Sequence, residues 1–119
     1  MDLAVRYGTA WAQRDVEAIL ALHTEDTVFH LHGGAEPAAG LAATRDAFAA
    51  SLADWPDLAF ERTNVLFGDR HFVSQYRMSA TAEGRRIECD GVDVFLVASG
   101  KIARKDTYLD WPAIQSQLG

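Results

Sequence analysis

With 119 residues, 49% of them hydrophobic and 24% charged, the chain has the composition of one globular domain, 1–119, and not of a disordered segment. A formal charge of −6, with eleven scattered basic residues adjacent only at Arg85-Arg86 and Arg104-Lys105, excludes a nucleic-acid surface. No apolar run approaches membrane-spanning length, and the start Met-Asp-Leu-Ala-Val-Arg lacks a basic n-region and an apolar core; a cytoplasmic protein without a membrane partner is expected.

Two short helices lead. Leu3, Tyr7, Ala10, Trp11 and Arg14 recur at helical spacing, and Asp15 is placed to cap a second helix with the stripe Val16, Ile19, Leu20 and His23. Thr27–His32 reads as a short strand, with Val28, His30 and His32 on one face and Phe29 and Leu31 on the other. Residues 33–40 form a Gly- and Pro-punctuated loop. A third helix runs from about Leu41 to Asp54, its inner stripe Leu41, Arg45, Phe48 and Leu52 continuing to Trp55, and Pro56 stops it. The period then changes to two. Leu58–Leu66, His71–Thr81, Arg85–Val97 and Lys101–Trp111 are predicted strands, joined by turns at Gly68-Asp69, Glu83-Gly84 and Ser99-Gly100. A short helix near Pro112–Gln117 closes the chain. The lone Cys89 has no partner for a disulfide and fits a small core residue in a reducing compartment.

Helices grouped ahead of an antiparallel meander predict an α+β domain: a cone-shaped, strongly curved, mostly antiparallel sheet with three N-terminal helices on its concave face. Between Val92 and Val97 both strand faces are apolar. Since the helices cover one face only, a second copy of the chain is expected on the other, giving a homodimer.

Asp93 stands out within this pattern. It shares the two-residue register of Ile87, Cys89, Phe95 and Val97, so strand geometry turns a carboxyl group toward the apolar side of the sheet. A desolvated carboxylate must find a partner, go neutral or face a wet cavity, and each outcome points to a ligand site nearby.

Three stretches carry a family likeness: Tyr7…Trp11…Arg14-Asp15…Ile19…Leu22…Asp26-Thr-Val28, then Gly40-Leu-Ala-Ala-Thr-Arg45…Phe48, then Val92-Asp-Val-Phe95…Gly100-Lys-Ile102…Tyr108-Leu-Asp110. Together they resemble the nuclear-transport-factor-2-like (cystatin-like) superfamily, which includes ketosteroid isomerases, SnoaL-like polyketide cyclases and limonene epoxide hydrolases. The likeness covers almost the whole chain and marks the fold more specifically than the activity. Among these, the isomerases pair a first-helix tyrosine with an aspartic acid on the strand before the last hairpin, as an oxyanion hole. Tyr7 and Asp93 stand at those places. The isomerases' basic aspartate lies in a short strand ahead of a Gly-rich loop with a Glu-Pro pair; here that strand carries His30, ahead of Glu36-Pro37.

The resemblance therefore implies cofactor-free, metal-free proton transfer beside a carbonyl, isomerising or cyclising an apolar, ring-bearing small molecule. His30 is the expected base, with Tyr7 and a protonated Asp93 the oxyanion donors. Trp11, His32, Phe48, Trp55, Tyr76 and Asp110 are the expected substrate-binding residues, and Asp106 or Asp110 is a reserve acid/base. Three alternatives stay open. The cavity serves binding alone; His30 and His32, two apart on one strand face, hold a metal with His23 or a carboxylate; or the chain acts like an epoxide hydrolase. The last departs from the family pattern, because Gln75-Tyr76-Arg77 stands in place of its Arg-x-Asp pair and Thr107 in place of its other aspartate, just before the Tyr-x-Asp stretch.

Overall fold

In a computed structural model of the protein, which describes residues 2–119, four helices and six strands run in the order α1 (Asp2–Ala12), α2 (Val16–Leu20), β1 (His23–Leu31), β2 (Ala38–Ala39), α3 (Leu41–Asp54), β3 (Ala59–Phe67), β4 (His71–Ala82), β5 (Arg85–Ala98), β6 (Lys101–Leu109) and α4 (Trp111–Leu118). The strands form one sheet in the order β2-β1-β6-β5-β4-β3. All neighbours are antiparallel except β1 and β6, which run parallel, so the sheet is mixed and the class is the α+β one expected. Among the described residues no helix is long and apolar enough to cross a membrane.

Turn chemistry accounts for the long meander. Glu83-Gly84 and Ser99-Gly100 both take positive φ at two successive residues, the backbone of a two-residue turn whose twist matches the strands it joins. Asp15 accepts a hydrogen bond from the Ala18 amide and caps α2 as predicted.

Three boundaries differ from the sequence reading. The second helix stops at Leu20, and His23, expected on its stripe, instead opens β1. Ala38–Ala39, inside the expected loop, pairs with Val28 and Phe29 as a short edge strand. Trp111 belongs to α4 rather than β6, because Asp110 caps the helix by accepting from the Ala113 amide.

All four helices contribute to the same sheet face. One apolar cluster gathers Tyr7, Ile19, Leu20, Phe29, Phe48, Phe95 and Ile102 beneath α1–α3. A second gathers Tyr76, Met78, Ile87, Cys89 and Ile114 beneath α4. The closing helix thus completes a cover that the three N-terminal helices leave open. A cavity lies at the seam between the two clusters.

Candidate active site

The cavity has a volume of about 210 Å³. Its walls come from both clusters and include Phe29, Leu31, Tyr76, Met78 and Leu109, and all three tryptophans of the chain, Trp11, Trp55 and Trp111, reach it. A second hollow of about 520 Å³ lies between α1 and β3 and shares Trp11, Leu58, Phe60, Tyr76, Asp93 and Lys105 with the first. Gly91, paired with both Tyr76 and Leu109, makes the arrangement possible: a Cβ there would come within 2.5 Å of the Tyr76 ring.

Asp93 points into this space, as its register predicts, and is only 8% exposed. Its flanking pairs on the sheet are Ser74 and Thr107. Oδ1 accepts hydrogen bonds from the Tyr76 hydroxyl at 2.9 Å and from Thr107 Oγ1 at 2.7 Å. Oδ2 faces the Lys105 ammonium at 3.8 Å, an ion pair beyond hydrogen-bonding distance. Asp93 thus accepts at Oδ1 and faces an ammonium at Oδ2, where the sequence reading expected it to donate to a ligand. Tyr76 pays in the opposite direction: burial and then the Asp93 charge push its phenol far above the ordinary value, so it stays a donor.

Lys105 is a cavity residue that sequence reasoning missed. It is 5% exposed and lies opposite Phe95. Strict alternation from the buried Ile102 would put Arg104, Asp106 and Tyr108 inside. However, the pairing steps from Val97↔Ile102 to Leu96↔Arg104, so Ala103 is an extra residue in β6. This bulge reverses the parity and turns Lys105, Thr107 and Leu109 inward. Burial pulls the Lys105 amine below its ordinary value while Asp93 holds it up. The rings of Trp11 and Tyr7 have centroids 4.5 and 5.0 Å from Nζ, and those of Phe48, Phe29 and Phe95 follow at 5.1, 5.5 and 5.7 Å. These π faces favour the charged form, in the same sense as Asp93.

Tyr7 borders the second hollow, but its hydroxyl is engaged: it is hydrogen-bonded to His23 Nε2 at 2.9 Å, and His23 Nδ1 to Thr27 Oγ1 at 2.9 Å. Burial, aided by the nearby Lys105 charge, lowers the His23 imidazole to about 3, so it is neutral at physiological pH. Burial also raises the Tyr7 phenol. Trp11 Nε1 lies near enough to that phenol to ease its ionisation slightly, yet among the described residues this buried N–H forms no well-made hydrogen bond.

His30 is not brought to the cavity. Phe29 and Leu31 line it, and the intervening side chains of β1 stand on the opposite face. Burying the two apolar residues fixes which side of the strand faces inward. His30 Nε2 instead meets the Ala35 carbonyl at 3.1 Å, and its ring lies 3.7 Å from that of His32. His32 is on the same outer face, donating to Asp106 at 2.8 Å, and is not a cavity residue. Neither Phe48 nor Asp110 lines the space. Phe48 is wholly buried behind it as one wall of the Lys105 box, and Asp110 is exposed as the α4 cap. Of the expected substrate-binding residues, Trp11, Trp55 and Tyr76 do line the cavity.

His30, His32 and Asp106 hold possible metal-ligand atoms within 4.8 Å of one another. Asp106 is already bonded to Arg104 through both oxygens, at 2.9 and 3.1 Å, so a cation there would have to displace a guanidinium.

A helix-covered mixed sheet enclosing a polar pair in an apolar cavity has the NTF2-like, cystatin-type fold. A profile of the SnoaL-like domain matches residues 4–105, and the chain belongs to that family. No curated protein matches it in sequence. Similar solved structures share the fold at low identity. A candidate polyketide cyclase from Xanthomonas campestris is 20% identical, with 99% of this chain and 95% of the other covered at a TM-score of 0.89. An NTF2-like protein from Burkholderia thailandensis is 18% identical, covering 99% and 95% at 0.88. TerC, co-crystallised with polyporic acid, is 16% identical, covering 98% and 95% at 0.86.

Proposed function

We propose that the chain is a small-molecule enzyme that moves a proton beside a carbonyl of an apolar, ring-bearing ligand, without a cofactor, as an isomerase or cyclase of the enolate type. The observation that carries this reading is the Asp93 carboxylate held at an apolar cavity by Tyr76 and Thr107. Both donors bind Oδ1, which leaves Oδ2 as the lone pair available to a substrate C–H. Asp93 is therefore the base in this proposal, replacing His30. Tyr7, tied to His23, acts as a fixed wall donor rather than a free oxyanion group. The family membership and the ligand of TerC support a ring compound as guest. A homodimer belongs to the same proposal, formed through the sheet face that the helices leave bare.

2-Tetralone, an enolisable ring ketone, tests it by α-proton exchange in deuterated water followed by NMR. Wild type is expected to exceed the buffer rate, Asp93→Asn to lose about 100-fold, and His30→Ala to stay within about twofold. Exchange abolished in His30→Ala and kept in Asp93→Asn would reverse the assignment. A non-catalytic binding protein is the second reading, favoured by the engaged Tyr7 hydroxyl. It predicts that tetralone quenches the cavity tryptophans with no exchange above buffer.

A further inference from the structure

A buried ammonium facing a carboxylate at 3.8 Å leaves both groups short of a hydrogen bond. Among the described residues Asp93 Oδ2 accepts none, and the gap to Lys105 Nζ is too wide for a direct one. The box of rings around Nζ cannot supply an acceptor atom, since ring faces satisfy charge but not donors. Both Lys105 and Asp93 line the cavity, so a guest can reach the two together.

Charge then restricts the guest. An anion arriving with its countercharge left in water would leave two negative groups beside one positive one, in surroundings that screen poorly. A neutral molecule that gives up its proton inside does not have this problem. Its O–H or C–H bond breaks, the proton forms an O–H on Asp93 Oδ2, and the electron pair stays on the guest's oxygen or, by enolisation, moves to it. One carboxylate–ammonium pair becomes one oxyanion–ammonium pair, with no change in net charge.

We propose that Lys105 is the oxyanion partner of this site, and that the cavity selects ring compounds with an acidic hydroxyl or an enolisable carbonyl, holding them as anions against Nζ after their proton passes to Asp93. This rests on the proposed function for the role of Asp93 and adds to it the group that receives the developing charge and the class of ligand it selects. Lys105 would then stabilise the enolate more than the neutral ketone, which is the condition for lowering a barrier.

The test uses 4-nitrophenol and nitrobenzene with the whole protein, buffered below the aqueous pKa of the phenol. Visible absorbance reads the nitrophenolate, and quenching of Trp11, Trp55 and Trp111 reads occupancy. Wild type is expected to bind the phenol and produce the phenolate band. Lys105→Met is expected to lose the band by at least about 10-fold while nitrobenzene affinity stays within about threefold. That variant strands Asp93, so the double variant Lys105→Met with Asp93→Asn, which removes both charges, serves as the folded control and should behave the same way. Asp93→Asn alone should keep the phenolate band, since the ammonium is still there, and release the proton to buffer. A full nitrophenolate band in Lys105→Met or in the double variant would overturn the role of Lys105 while leaving Asp93 as the base. Failure of wild type to bind either compound would overturn this inference and the cavity reading together.

Discussion

Burial lowers His23 from the ordinary 6.5 to about 3, and that depression has a cost that appears only in acid. Above about 6.5 the imidazole is neutral folded or unfolded and contributes nothing to pH dependence. Between 6.5 and about 3 the unfolded chain takes up a proton that the folded chain refuses, so stability falls with pH by as much as about 1.4 kcal/mol per unit. Asp106 also weakens the fold in acid, but in a separate window. Burial pushes its carboxyl up, but hydrogen bonds from Arg104 and His32 outweigh this and hold it below its ordinary 3.8, so its contribution is lost only as pH falls below that range. Thermal unfolding from pH 6.5 down to about 5, before the unfolded carboxylates begin to take up protons, therefore isolates the imidazole. His23→Gln is expected to flatten that part of the profile, and an equally steep slope in the variant would assign the loss to other groups. The sequence shows a histidine at residue 23 on a helical stripe; it does not show that α2 ends early and drops the ring beneath Phe48 and Tyr7.

Arg14 ties the end of α1 to the C-terminal end of α3 and to the approach to β3. It follows α1 with φ 57°, a left-handed residue that turns the chain toward α2. Its guanidinium donates to the carbonyls of Leu52 at 3.0 Å, Trp55 at 3.4 Å and Leu58 at 3.2 Å. Two of these groups close the last turn of α3, where a cation is also favoured by the helix dipole. Arg14→Met keeps the packing stem and is expected to cost about 2 kcal/mol, read from urea unfolding, because orphaned carbonyls lose a charged donor. A change below about 0.5 kcal/mol would mean that water replaces the donor at no loss. Element geometry is also where the sequence reading divided. Period two placed Asp93 correctly, because β5 runs regularly from Ile87 to Leu96. In β1 the alternation was legible but not which face turned inward, and the apolar pair Phe29 and Leu31 decided against His30. In β6 the extra residue Ala103 carries no sequence signature, so period two does not show that Lys105 and Thr107 face inward.

At the scale of the molecule, helix grouping and turn spacing made the fold class and five of the six strands legible, whereas the cavity depended on side chains from β1, β3, β4, β5, β6 and three helices meeting at one seam. The opposite face of the sheet was also legible, through Val92 and Val94. There, Leu66 pairs with Val73, Val73 with Val94, and Val92 with Tyr108, forming an apolar band across β3–β6 that Gln75, opposite Val92, and Asp106, opposite Val94, interrupt. Leu66 is 53% exposed, Leu96 47% and Tyr108 44%. Apolar surface of this kind, which no helix covers among the described residues, fits the homodimer proposed above, in which a second copy would place the same band against it, since a two-fold interface must be self-complementary. Sedimentation equilibrium is expected to give twice the chain mass. Leu96→Arg puts a second cation at the edge of the band, between His71 and Arg104, on a side chain already half exposed, so the folded chain should tolerate it. It is expected to shift the population to monomer by at least about 10-fold in dissociation constant, with unchanged circular dichroism. A wild-type chain that sediments as a monomer at about 100 μM, well above the micromolar constants that interfaces of standard size reach, would leave the band solvent-facing and remove the dimer.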